Sequence, residues 1–164
     1  MPPEETDLPR VAQPTGPDAV PGATARRHGP LRPHLDVLAV IAVGGALGAV
    51  ARFEAARLWP TDAGAFPWTT MTVNAVGCLV IGVFLVAVTE VFPVHRLLRP
   101  FFGTGVLGGF TTFSTYSVDI ERLVGDGHAG LALTYLAATL AAALSAVSTG
   151  AWVARRFLAK WSER

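Results

Sequence analysis

The stretch Gly103-Thr104-Gly105-Val106-Leu107-Gly108-Gly109-Phe110-Thr111-Thr112-Phe113-Ser114-Thr115-Tyr116-Ser117 decides how this chain is read. It lies inside an otherwise apolar block, from about Leu97 to Ile120. Glycine and β-branched threonine are poor helix formers. A continuous, lipid-facing helix would not use them together. Unwound backbone at membrane depth is tolerated only inside protein or along a watery cavity. The stretch therefore predicts a break in this helix near Gly108 to Thr112. Freed carbonyls at such breaks commonly hold ions. The plainer alternative is a tightly packed Gly-rich helix whose hydroxyls bond back to their own turn.

Three further apolar blocks surround it, from about Leu35 to Arg57, Trp68 to Thr89 and Ala129 to Phe157. A helix needs roughly 20 apolar residues to cross a bilayer core, and each block can supply that length. The connectors are short, so neighbouring helices alternate in direction. Trp59, Trp68, Trp152 and Trp161 stand near block ends, as interfacial tryptophans do. About half the chain is hydrophobic and 15% is charged, a membrane composition rather than a soluble one. The reading is an all-α membrane protein of four transmembrane helices over 35–158. Residues 1–34, rich in Pro, Gly, Ala and charge, read as a disordered tail, and 159–164 as a short C-terminal tail. No apolar stretch near the start suggests a signal peptide.

Several functions are disfavoured. A net charge of +1 offers no basic field for nucleic acid. His28, His34, His95 and His128 are scattered, without metal-ligand spacing. Cys78 is single and sits in an apolar block, the setting of a small packing residue. No nucleophile has a base partner, so an enzyme is not expected. Glu54, Glu90, Asp119 and Glu121 all lie close to block ends, whereas proton-coupled exporters need a titratable group within the membrane.

The polar residues inside the blocks are the candidates for function. Asn74 lies within the second block, where its amide bonds to another helix or donates its N–H groups to a dehydrated anion. Arg52 ends the first block; it either snorkels to headgroups or draws anions to a pore mouth. Phe113 and Tyr116 flank Ser114 and Thr115, and aromatic ring edges carry partial positive charge. Tyr135, Thr139 and Ala143 share one helix face. Gly44 with Gly48, and Gly45 with Ala49, have the spacing that lets helix backbones approach.

Three motifs resemble the fluoride channels known as Fluc or CrcB: GGALGAVARF at 44–53, TVNAVG at 72–77 and GGFTTFSTYS at 108–117. The resemblance covers roughly residues 35–158. It implies a four-helix subunit paired antiparallel with a second subunit, two fluoride pores, and passive fluoride export that reduces fluoride toxicity. By motif, Asn74 becomes the pore amide and Arg52 faces the vestibule. Phe113 and Tyr116 become the aromatic box, with Ser114 and Thr115 between them. Tyr135 and Thr139 belong to a polar track. The backbone carbonyls of Gly108 and Thr111 are expected to hold a structural Na⁺ at the dimer centre. Two positions depart from the family pattern. Tyr116 stands where Phe is usual, and Ala143 where Ser or Thr is usual. The competing readings are a small four-span proton-coupled or multidrug exporter and a non-conducting partner subunit of a heterodimeric channel.

Charge bias adds an expectation about assembly. Arg26, Arg27, Arg32, Arg96, Arg99, Arg155, Arg156, Lys160 and Arg164 fall on the side of the termini; Arg52, Arg57 and Arg122 fall on the other. The positive-inside rule then places both termini in the cytoplasm of a multi-pass cell-membrane protein. Such a bias opposes insertion both ways and favours a heterodimer with a homologous subunit over a homodimer.

Overall fold

The computed structural model describes residues 35–91 and 95–162, with Val91 and residues 160–162 by their backbone alone. The N-terminal segment 1–34 and Arg164 lie outside the described residues, as do the side chains of Lys160 and Trp161. The readings made on them are not addressed by the structure.

The described chain is all helix and connecting loop. Helix α1 spans Leu35–Leu58. Helix α2 spans Trp68–Val86 and continues into wide π-helical turns over Ala87–Val91. Helix α3 comprises a π-helical run, Arg99–Leu107, and one α-turn, Gly108–Phe110. Helix α4 is Ser114–Gly125, and α5 is Ala129–Ser162. The α5 helix thus continues beyond 158 into the residues read as tail. Three helices are long and apolar enough to cross a membrane: Leu35–Leu58, Trp68–Glu90 and Ala129–Ala159. The third apolar block is divided between α3 and α4.

Glycine sets how closely these helices pack. A Cβ built on Gly44 would lie 2.5 Å from the Phe101 carbonyl oxygen, and one on Gly48 would lie 2.1 Å from that of Val106. From the other side, a Cβ on Gly109 would lie 2.3 Å from the Gly45 oxygen. Helix α1 and α3 therefore meet backbone to backbone, which the Gly44/Gly48 spacing anticipates. The α2–α5 contact is built likewise, with Gly82 against Val147 and Gly150 against Leu79. Close backbone approach increases dispersion contact where lipid offers no hydrophobic drive for helix association.

Helix α4 stops in a Schellman motif. Gly127 adopts a φ of 81°, and the N–H groups of Gly127 and His128 bond the carbonyls of Val124 and Leu123. Only glycine takes that conformation without strain. The chain then turns directly into α5. Leu123, Ala132 and Tyr135 form a buried cluster where α4 meets α5.

Gly48→Ala is expected to cost about 1–3 kcal/mol of stability through overpacking, with Gly45→Ala nearly neutral, since a Cβ there comes no nearer than 4.0 Å to Gly105. Thermal unfolding of the purified variants in one detergent checks the contrast.

Candidate functional site

Between α3 and α4 the helical hydrogen bonding is interrupted and replaced by side chains. Thr111 is extended, at φ −76° and ψ 157°. Its own N–H and hydroxyl both donate to the Leu107 carbonyl. In a continuous helix the Thr112 N–H would go to Gly108. Instead it donates to Asn74 Oδ1 at 2.8 Å, while Asn74 Nδ2 donates to the Thr112 carbonyl at 2.9 Å. The primary amide thus pairs with both backbone groups of Thr112, as a neighbouring strand would. The Thr115 N–H, which a continuous helix would give to Thr111, donates to Thr112 Oγ1 at 3.1 Å. Thr112 is accordingly the residue whose side chain caps α4, at the third N–H where such caps act. Arg52 completes the bracing by donating Nε to the Gly109 carbonyl at 3.1 Å.

Two consequences follow from this exchange of partners. The carbonyls of Gly108 and Thr111 have lost their helical donors, because those donors are directed to Asn74 and Thr112. Both oxygens retain lone pairs that suit a hard cation. Gly108 is also exposed, with nothing within 4 Å of a Cβ built on it. Second, one N–H of Asn74 is committed to Thr112. Of its two donors, one is left for a ligand.

Thr112 stands between two cavities. One, of about 370 Å³, is lined by Arg52, Thr69, Thr70, Thr112 and Thr115, with apolar residues from α1. The other is a groove of about 440 Å³, lined by Asn74, Thr111, Thr112, Phe113, Tyr116 and Thr139 among mostly apolar neighbours. Gly77 floors this groove. A Cβ there would fall 2.2 Å from the Thr111 methyl, so the extended threonine fits only because position 77 is glycine.

The sequence candidates are therefore brought together unequally. Asn74, Phe113, Tyr116 and Thr139 line the groove with Gly108 and Thr111; Arg52 and Thr115 line the other cavity. Phe113 is highly exposed, at 79%. Ser114 is exposed beside it and shares a hydroxyl contact with Thr112 at 3.3 Å. Tyr135 does not line the groove. It is fully buried between Phe66 and Tyr116, with ring centroids 5.3 and 5.2 Å away. Thr139, one turn on, is buried beside the Tyr135 hydroxyl, and its own hydroxyl meets no partner at full hydrogen-bond geometry among the described residues. Such a group costs stability unless something else bonds it.

The two departures from pattern acquire specific surroundings. The Tyr116 hydroxyl donates to the Leu136 carbonyl at 3.1 Å. It anchors the ring to α5. Ala143 lines the groove as an apolar wall with Leu140 and Ile81.

Sequence reasoning did not single out two residues of this region. Thr112 is the joint itself, and nothing in a Thr-Thr pair distinguishes the braced member. Asp119 accepts from Thr70 Oγ1 at 2.8 Å and from the Tyr135 hydroxyl at 3.3 Å, tying α2, α4 and α5 together. Its place near a block end hid that role; only the three-dimensional meeting with Tyr135 reveals it.

Residues 39–151 match the model of the CrcB-like proteins, described as camphor resistance (CrcB). The chain belongs to the CrcB family. It is 58% identical over 156 residues to fluoride-specific ion channel FluC 1 of Streptomyces coelicolor, covering 95% of this chain and 98% of that one. It is 64% identical over 118 residues to FluC 2 of Streptomyces avermitilis, covering 72% and 75%, and 51% identical over 125 residues to FluC 2 of Nocardia farcinica, covering 75% and 89%. With its three apolar spanning helices, this CrcB chain is a membrane protein.

Asn74→Leu removes both bonds to Thr112 and is expected to lower stability by about 2–3 kcal/mol. Tyr116→Phe removes one bond, and about 1 kcal/mol is expected. Denaturant titrations in detergent, followed by tryptophan fluorescence, measure both.

Proposed function

We propose that this chain is one subunit of a fluoride-selective channel that lets cytoplasmic fluoride leave the cell passively. The observation that carries the reading is the 58% identity, over nearly the full length of both chains, to a protein named a fluoride-specific ion channel. The site chemistry supports it. Fluoride is small, hard and strongly hydrated, so a selective path must replace its water shell without trapping it. The Arg52 cavity concentrates anions at one mouth. The second N–H of Asn74 and the Thr139 hydroxyl supply neutral donors, and the ring edges of Phe113 and Tyr116 supply weak positive potential. The Tyr116 hydroxyl, held on Leu136, leaves the ring edge rather than the oxygen for the path. Tyr135 acts behind Thr139 as a wall held by Asp119, and Ser114 and Thr115 flank the path through their bonds to Thr112.

In this reading the third apolar block makes the fourth crossing, with its interruption at membrane depth. The exposed faces of Phe113, Ser114 and Gly108 call for a covering surface, and a second, antiparallel subunit supplies one. Two Gly108 and two Thr111 carbonyls, one pair from each subunit, would then hold a structural Na⁺. Oxygen-only, uncharged ligands suit that ion.

The charge bias favours a pair of unlike subunits, with the termini of this one in the cytoplasm. Relatives numbered 2 and 3 both come from Streptomyces avermitilis, so one organism holds several such chains, as unlike pairing requires.

Fluoride efflux from liposomes, with chloride as the control, tests the reading. Fluoride-selective efflux is expected when this chain is co-purified with a homologous subunit, and none from the chain alone. Selective efflux from the lone chain would keep the channel and overturn the unlike pair. Equal chloride and fluoride rates, or no efflux with any partner, would overturn the channel.

A further inference from the structure

A third cavity, of about 360 Å³, lies where the last turns of α2 face the start of α3. Its polar lining is Arg99, Thr104 and Thr89, and it shares Ile81 and Gly103 with the central groove. The groove in turn shares Thr112 with the Arg52 cavity. The three cavities therefore adjoin one another in a row, with one arginine at each end.

The lining chemistry has a single sign. Among the described residues, Arg52 and Arg99 are the only charged side chains on the three walls, and no Asp or Glu lines any of them. Arg99 donates from Nη2 to the Val88 carbonyl at 2.8 Å. That bond holds the guanidinium at the cavity and leaves most of its five N–H groups for a ligand. Gly103 lines both this cavity and the groove. A Cβ built there already meets the Phe84 ring at 3.3 Å, so a larger side chain would fill the passage. An arginine that merely snorkels to headgroups would need no cavity joined to the groove and no glycine at the join.

We propose that Arg99 and Thr104 form a second mouth of the anion path, taking a small inorganic anion and passing it to the central groove beside Gly103. The proposal rests on the channel reading and extends it to the far end of the path. A positive group in a low-dielectric recess raises local anion concentration there.

The test uses the full chain with Thr104→Cys, co-purified with a homologous subunit, in phosphatidylcholine vesicles. Membrane-impermeant thiosulfonates of negative and positive charge are added, and labelling at 104 is resolved from labelling at Cys78 by mass spectrometry. Each rate is normalised to that of a free thiol. At low ionic strength the negative reagent is expected to be favoured on the order of tenfold. Salt should shrink that bias, and adding Arg99→Gln should abolish it. Gly103→Val should stop fluoride efflux while leaving the bias at 104 intact, which also reports that the variant folds. No labelling at 104, a bias indifferent to Arg99→Gln, or undiminished efflux in Gly103→Val would overturn the mouth. Loss of the bias in vesicles containing anionic lipid would assign Arg99 to a lipid phosphate and overturn it as well. The labelling does not require conduction. A bias without fluoride-selective efflux would therefore count against the channel reading alone, and selective efflux without bias against the mouth alone.

Discussion

The backbone of Thr112 must be satisfied in an apolar setting, and the rest of the site depends on how that is done. A helix would bond its N–H and carbonyl internally. Here the Asn74 amide takes both, at 2.8 and 2.9 Å. That single pairing lets Thr111 run extended, turns Thr112 into the cap of α4 and strips two carbonyls of their helical donors. Unpaired backbone groups in an apolar environment would each cost several kcal/mol, so the interruption and the asparagine are one structural unit. Arg52 supports it from α1 through Gly109. Its guanidinium thereby serves the backbone and lines a cavity at once.

Close packing is the second requirement. The interrupted segment is held against α1 by glycine at positions 44, 48 and 109, and against α2 by the absent side chain of Gly77. These contacts leave little slack for the segment to move as a body. The groove beside it is different in character. Its walls are mostly apolar, and its polar content is Asn74, Thr139 and the threonines of the joint. As the proposed anion path, such a groove would bind its ion weakly and at several places, which fast passage requires.

Much of this was legible in the sequence, for identifiable reasons. Gly103 to Ser117 combines residues that a lipid-facing helix rejects, so its irregularity could be read directly. Asn74 and Arg52 stood out because polar groups among apolar residues are costly and therefore purposeful. Other features were not legible. Tyr135 and Thr139 share a helix face, yet one is sealed behind the wall and the other lines it, because neighbours from α2 and α4 decide which residue meets the groove. The setting of the Tyr116 hydroxyl was hidden as well. Its partner is a backbone carbonyl on α5, which has no sequence signature at all. Asp119 was passed over for the same reason, since its partners come from helices distant in the chain.

Amide hydrogen exchange at Thr112, in the native chain and in Asn74→Ala, addresses the central claim most directly. The Thr111 amide, bonded to Leu107, is the internal reference. The expected result is slow exchange at both amides in the native chain, with Thr112 accelerated on the order of tenfold in the variant and Thr111 unchanged. Equal protection of Thr112 with and without the asparagine would mean that its N–H is held by something else, and the account of the joint would be wrong.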